Sequence, residues 1–210
     1  METKHKVFNL IILDESGSMS SIKNTIISGF NEVVQTVKCV AAQFPDQEHR
    51  ISLVTFNSMA VKTLLRNEDV IKLDLIDDRK YNPNGNTPLY DAIGESIHAL
   101  KKVTAECSAD NVLVTILTDG EENASREYTG KTIKKLIDEL KEQNWTFTYI
   151  GANHDVERFA SSISISNSIK FEANEADIKR MFDKEKGSRF IYSQKIQNKE
   201  DTKDDFYDNK

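Results

Sequence analysis

Cysteine is scarce in this 210-residue chain: Cys39 and Cys107 stand far apart, with no Cys-x-x-Cys spacing. That argues against a disulfide framework and a cysteine zinc site, and leaves two reduced thiols expected to pack as small hydrophobes. Long apolar runs are missing as well; none approaches the ~20 residues that span a bilayer. The charged opening Met1-Glu2-Thr3-Lys4-His5-Lys6 leads into a short apolar segment ending at Asp14, without a small-residue cleavage site. It reads as a first strand rather than a signal peptide. Nor is there an excess of cations, since 28 Lys and Arg face 34 Asp and Glu. Nucleic acid and anionic membranes require clustered Lys and Arg, so the balance argues against both as partners. The cytoplasm is the expected location.

What is present is the make-up of one globular domain, with 38% hydrophobic and 30% charged residues,. Four short apolar runs, Val7 to Leu13, Ile51 to Phe56, Val112 to Leu117 and Phe147 to Ile150, are continuous enough to be strands covered on both faces, as in a parallel sheet. Helical stripes lie between them. Ile22, Ile26, Phe30, Val33, Val34, Val37 and Ala41 form one; Leu89, Ala92, Ile93, Ile97, Leu100 and Val103 another; Ile133, Leu136, Ile137 and Leu140 a third,. Strand and helix in alternation predict an α/β fold.

Val61 to Ile76 breaks the rhythm and reads as an edge strand with an irregular crossover,. Beyond Ile150 the pattern predicts a short helix over 156–163, a strand near 169–171 and a last helix over 175–186. A domain over 1–194 followed by a charged, disordered tail over 195–210 is the expected organisation,.

In an open α/β sheet, ligands bind outside the carboxyl ends of the strands, where the strand order reverses. The first strand runs into Asp14-Glu15-Ser16-Gly17-Ser18, and the strand from Val112 runs into Thr118-Asp119-Gly120. Side by side on that edge, Asp14 and Asp119 would be expensive to bury without a cation. Ser16, Ser18 and Thr87, the last in Gly85-Asn86-Thr87-Pro88, add hydroxyl oxygens. An all-oxygen set suits Mg²⁺ or Mn²⁺ ahead of softer ions, with Ca²⁺ third. Taken singly, Ser18 and Thr87 are ordinary helix caps.

Together, Asp14-x-Ser16-x-Ser18, the later Gly85-x-Thr87-Pro88-Leu89 and Thr118-Asp119-Gly120 resemble the metal-ion-dependent adhesion site of von Willebrand factor A domains. The resemblance covers roughly residues 5 to 190. It implies a Rossmann-like, doubly wound and mostly parallel sheet of strand order 3-2-1-4-5-6 with strand 3 as the antiparallel edge. It also implies direct ligation by Ser16, Ser18 and Thr87, with Asp14 and Asp119 acting mainly through water, and an open position for a partner's Asp or Glu. Integrin-type members carry acidic residues just after the second serine; Ser21 and Ile22 stand there, so one metal site is expected. In some relatives the last helix shifts when an acidic ligand binds. Bacterial intracellular members often work beside ATPases encoded with them, and this chain resembles such a stand-alone type.

These readings converge on a non-enzymatic, metal-dependent protein-binding module. A phosphohydrolase of haloacid-dehalogenase type needs a second Asp two residues after the first, and Ser16 is there instead,. A scaffold with a vestigial site is the third reading, against which the intact five residues speak. The remaining motifs are bland. Gly130-Lys131-Thr132 reads as a helix start, His5, His49, His98 and His154 lack zinc-type spacing, and the sequons at Asn123 and Asn144 read as chance,.

Overall fold

The computed structural model describes residues 4–73, 75–107 and 110–207, apart from the side chain of Cys107. Six strands form one sheet in the order β3-β2-β1-β4-β5-β6. They are β1 (His5–Asp14), β2 (Gln47–Asn57), β3 (Ala60–Asp69), β4 (Asn111–Thr118), β5 (Trp145–Gly151) and β6 (Asn167–Lys170). All neighbours pair in parallel except β2 with β3. The helices are α1 (Lys23–Gln43), α2 (Leu89–Cys107), α3 (Gly130–Lys141), α4 (Val156–Ser162) and α5 (Glu175–Asn198), with a 3₁₀ turn over Gly17–Ile22. None of the described helices is long and apolar enough to cross a membrane.

Strand alternation divides the core. Val7, Ile11 and Leu13 of β1 meet Ile26, Phe30, Val33 and Val37 of α1 and Ile178, Met181 and Phe182 of α5. Phe8, Leu10 and Ile12 face the other way, towards Leu89, Ile93 and Ile97 of α2 and Ile133 and Ile137 of α3,. Helices on both faces therefore cover the central strands, which is why those strands read as continuous apolar runs. Between α1 and α5 the approach is very close: a Cβ on Gly29 would lie 2.0 Å from the Phe182 ring.

Under α5 the core is polar. Asn9 of β1 interrupts the apolar face, and its Oδ1 accepts from Arg189 at 2.9 Å. Arg189 also donates to Glu185, at 2.9 Å from Nε, and to Thr115 of β4 at 2.8 Å. Both members of this ion pair are buried, so each depends on the other and on these neutral partners.

The C-terminal segment departs from expectation. The last helix does not end near residue 186 but continues to Asn198, because Tyr192 and Ile196 extend its buried stripe. Residues 199–207 are not a disordered tail. Phe206 and Tyr207 enter the core, the Tyr207 hydroxyl donates to Glu185 at 2.6 Å, and Phe206 N donates to Asn167 Oδ1 at 2.9 Å. Two aromatic residues among six charged ones anchor it, together with buried Thr202, whose carbonyl accepts from Thr146 at 3.0 Å,. Residues 208–210 lie outside the described residues, as do 1–3. Cys39 is exposed rather than packed as a core hydrophobe, and the side chain of Cys107 lies outside the description.

Candidate functional site

β1 is the strand from which the chain first moves to β2 and later returns to β4 on the other side. Its carboxyl end is the switch point of the sheet. Because Leu13 pairs with Leu117, Asp14 and Thr118 leave the sheet at the same level. Thr118 Oγ1 donates to Asp14 Oδ2 at 2.6 Å, while Ser16 N donates to Asp14 Oδ1 at 2.7 Å. The Asp14 carboxylate thus lies fully buried across the start of the first loop.

The hydroxyls and the second carboxylate continue from there. Ser16 Oγ and Ser18 Oγ are 3.2 Å apart, and Ser18 Oγ donates to Asp119 Oδ1 at 2.6 Å. Neither serine spends its side chain on capping the 3₁₀ turn: Ser16 holds the cap position without a side-chain cap bond. Thr87 Oγ1 has no hydrogen-bond partner among the described residues, although Thr87 is buried. It borders the same space, since a Cβ on Gly120 would stand 3.5 Å from Thr87 Oγ1 and 3.9 Å from Ser18 Oγ. All five sequence-predicted residues therefore gather at one edge, on three loops.

Burial pushes the Asp14 carboxyl up to about 6, opposed by the Thr118 hydroxyl and Ser16 and assisted by the charge of Asp119. Burial raises Asp119 too, against the bond from Ser18. Two acids held together in a dry place are each harder to ionise than in water.

Other residues hold the loops in place. Glu15 is buried; its carboxylate accepts from Asn82 N at 2.6 Å and from Lys62 Nζ at 3.2 Å, and its carbonyl accepts from Asn84 N at 2.8 Å. Tyr81 donates its hydroxyl to the Asp14 carbonyl at 2.6 Å. Thr87 is clasped from the far side, its N donating to Asn123 Oδ1 at 2.9 Å and its carbonyl accepting from Asn123 N at 3.1 Å. Glu122 turns away to accept from Tyr90 N at the head of α2 and from Ser125. Glu121 is exposed.

Residues 10–186 match the sequence profile of the von Willebrand factor type A domain. The chain belongs to this family. No curated protein matches it by sequence. Among solved structures, the vWF domain of the type V pili tip protein Mfa5 from Porphyromonas gingivalis superposes with a TM-score of 0.63 at 12% identity, over 90% of this chain and 97% of that one. The pilus adhesin SpaC from Lactobacillus rhamnosus GG gives 0.63 at 10% identity, over 91% of this chain but only 30% of the adhesin. The SpRpn10 VWA domain gives 0.53 at 14% identity, over 85% and 94%. At these identities the likeness is one of fold.

In this A domain the residues missed from sequence are the supports: Glu15, Tyr81, Thr118 and Asn123. Thr118 sits inside a quoted motif, and its pairing level with Asp14 was the available signal. Glu15, a charged residue directly after an apolar strand, was a weaker one. Among the described residues no cluster of three or more His, Cys, Asp or Glu side chains is arranged for a metal. The candidate centre offers two carboxylates, and three hydroxyls complete its donor set. That oxygen-only set fits a hard divalent cation, and the unpartnered Thr87 hydroxyl is the donor such an ion would engage. The four histidine rings have other partners. His154 bonds Tyr149 and the Ala152 carbonyl, His98 the Gly94 carbonyl, His49 Gln47 and His5 Asn111.

Proposed function

We propose that this A domain is a non-enzymatic protein-interaction module. In this reading Asp14, Ser16, Ser18, Thr87 and Asp119 hold one divalent cation, Mg²⁺ or Mn²⁺, and a partner presents an Asp or Glu side chain to it. The observation that carries the reading is the chain Ser16–Ser18–Asp119, whose hydroxyls are bonded to each other and to a buried carboxylate rather than to helix ends. A cation supplies positive charge where two carboxylates are buried together, and with mostly neutral hydroxyl ligands it keeps enough charge to attract an external carboxylate. The phosphohydrolase reading is weaker: the position two residues after Asp14 is Ser16, whose hydroxyl has no acid/base proton to exchange near neutral pH. In the same reading the module works in the cytoplasm beside a protein partner, an ATPase among the candidates.

The test is a calorimetric titration of chelator-stripped protein with Mg²⁺, Mn²⁺ and Ca²⁺, alongside Ser18→Ala and Thr87→Val. One site with Mg²⁺ or Mn²⁺ binding, weakened about 10-fold or more in each variant, is the expected result. A random-sequence peptide display library screened with and without chelator then reads the partner chemistry. Cation binding unchanged in both variants, or selected peptides without Asp or Glu, would overturn the proposal.

A further inference from the structure

The loop that delivers Thr87 contains the only Asn-Gly pair in the sequence, Asn84-Gly85. Asparagine followed by glycine is the dipeptide most prone to ring closure, because no side chain shields the glycine nitrogen from the preceding amide carbon. Both residues are exposed. The Asn84 side chain has no hydrogen bond, and the Gly85 N–H has no acceptor among the described residues. Nucleophile and electrophile are therefore both free.

The fold keeps this glycine in place. Gly85 has φ +76°, and a Cβ there would stand 2.4 Å from Ser58 Oγ, so glycine is required by backbone and by space. Nothing comparable requires asparagine at 84, where only the backbone N is used, as donor to the Glu15 carbonyl. Asn86 provides the contrast within the same loop. It is exposed too, but the nitrogen that would attack it belongs to β-branched Thr87 and is held by Asn123 Oδ1 at 2.9 Å.

We propose that Asn84 is a site of spontaneous deamidation and isoaspartate formation, which ages the Thr87 loop. The Gly85 nitrogen, on losing its proton, forms a bond to Asn84 Cγ. The Cγ–Nδ2 bond breaks and its electron pair leaves with ammonia. Water then opens the resulting succinimide at one carbonyl or the other, giving aspartate or isoaspartate. No oxidant or reductant is involved. Isoaspartate routes the main chain through the former side chain and adds a methylene between two anchors, Asn84 N to the Glu15 carbonyl at 2.8 Å and Gly17 N to the Gly85 carbonyl at 2.9 Å. Both anchors cannot be kept, and Thr87 follows two residues later. This consequence for the site rests on the cation reading; the modification itself does not.

The experiment ages the full chain at neutral and at mildly alkaline pH and maps it by peptide mass spectrometry that separates aspartate from isoaspartate. Conversion at Asn84 is expected to lead that at Asn86 and every other asparagine several-fold, to speed up with pH, and to yield both acids. Conversion at Asn84 no faster than at Asn86 would overturn the proposal. The isoaspartyl form is then separated and titrated with Mg²⁺ beside fresh protein and Asn84→Asp, which carries the same charge on a normal backbone. Weakening confined to the isoaspartyl form is expected; equal affinity in all three would refute the effect on the loop. If fresh protein binds no cation, the functional reading fails, and the mass map alone still decides the modification.

Discussion

Replacing Asp14 with asparagine should make the cation-free protein more stable, the reverse of what loss of a well-bonded buried residue usually does. The Asp14 carboxyl is fully buried, and burial raises it from 3.8 to about 6. A carboxylate whose folded value lies above its unfolded value opposes folding once it is ionised. The folded state binds the extra proton, so the contribution of Asp14 to stability falls as pH rises from about 4 to about 6 and stays lower above that,. At about 1.4 kcal/mol per unit the cost is on the order of 3 kcal/mol at neutral pH. Asparagine keeps the bond from Ser16 N through its Oδ1. Its amide can donate to Thr118 Oγ1 once that hydroxyl turns to the Gly120 carbonyl, which it already reaches at 3.1 Å. Allowing for the amide's own desolvation, a net gain of about 2 kcal/mol is expected. The assay is urea unfolding of wild type and Asp14→Asn in chelator, from pH 4 to pH 8. The stability gap between variant and wild type should widen by about 3 kcal/mol as pH rises from 4 to 6 and hold above that, since the slopes of all other groups are common to both proteins, and saturating Mg²⁺ should stabilise wild type alone,. A variant no more stable than wild type in chelator would refute the burial argument. A variant stabilised by Mg²⁺ to the same extent would refute the role of Asp14 in holding the ion.

Three further predictions concern the rest of the fold. Arg189→Met should cost about 3–5 kcal/mol in chemical denaturation because it strands buried Glu185, and adding Glu185→Leu should recover much of that loss,. His49 is held neutral, pushed down to about 4 mainly by burial and then by the charge of Arg189. The stability it contributes is present above about pH 6.5 and is lost as pH falls towards 4, on the order of 3 kcal/mol in all, so the difference between wild type and His49→Gln should change by that amount across this range,. Gly29→Ala should cost about 1–3 kcal/mol in thermal unfolding, since its new methyl overlaps the Phe182 ring and α1 and α5 must move apart,.

The central strands and the first three long helices were legible because their signals are local: a buried strand is a continuous apolar run, and a covered helix carries one stripe. The candidate site was legible in the same way, with Asp14, Ser16 and Ser18 in one turn and Thr87 and Asp119 at the openings of others. What escaped was whatever depends on distant partners. Glu15 looks like a surface acid until Lys62 and Asn82 are placed against it. Glu185 and Arg189 look like an exposed helical pair until Asn9 and Thr115 supply a polar floor. The same blindness shortened α5, whose later half buries Ser188, Arg189 and Ser193 and leaves only Tyr192 and Ile196 to carry an apolar stripe. It also left Phe206 and Tyr207 in an expected tail, since their binding surface is made by α5 and β6.

The polar floor beneath α5 gives that helix a single permitted register. Met181, Glu185, Arg189 and Ser193 follow one another at four-residue intervals along its buried side. A slide of one turn, about 5.4 Å, would bring each into its neighbour's place. In one direction Arg189 would arrive where Glu185 accepts the Tyr207 hydroxyl, taking away that hydroxyl's carboxylate acceptor,. In the other, Glu185 would arrive opposite Asn9 Oδ1, setting acceptor against acceptor. An apolar seam would resist such a slide only weakly, because one leucine can replace another. Here the side chains act as the teeth of a key, so motion at the loop edge can tilt or release α5 but cannot pass along it as a one-turn step.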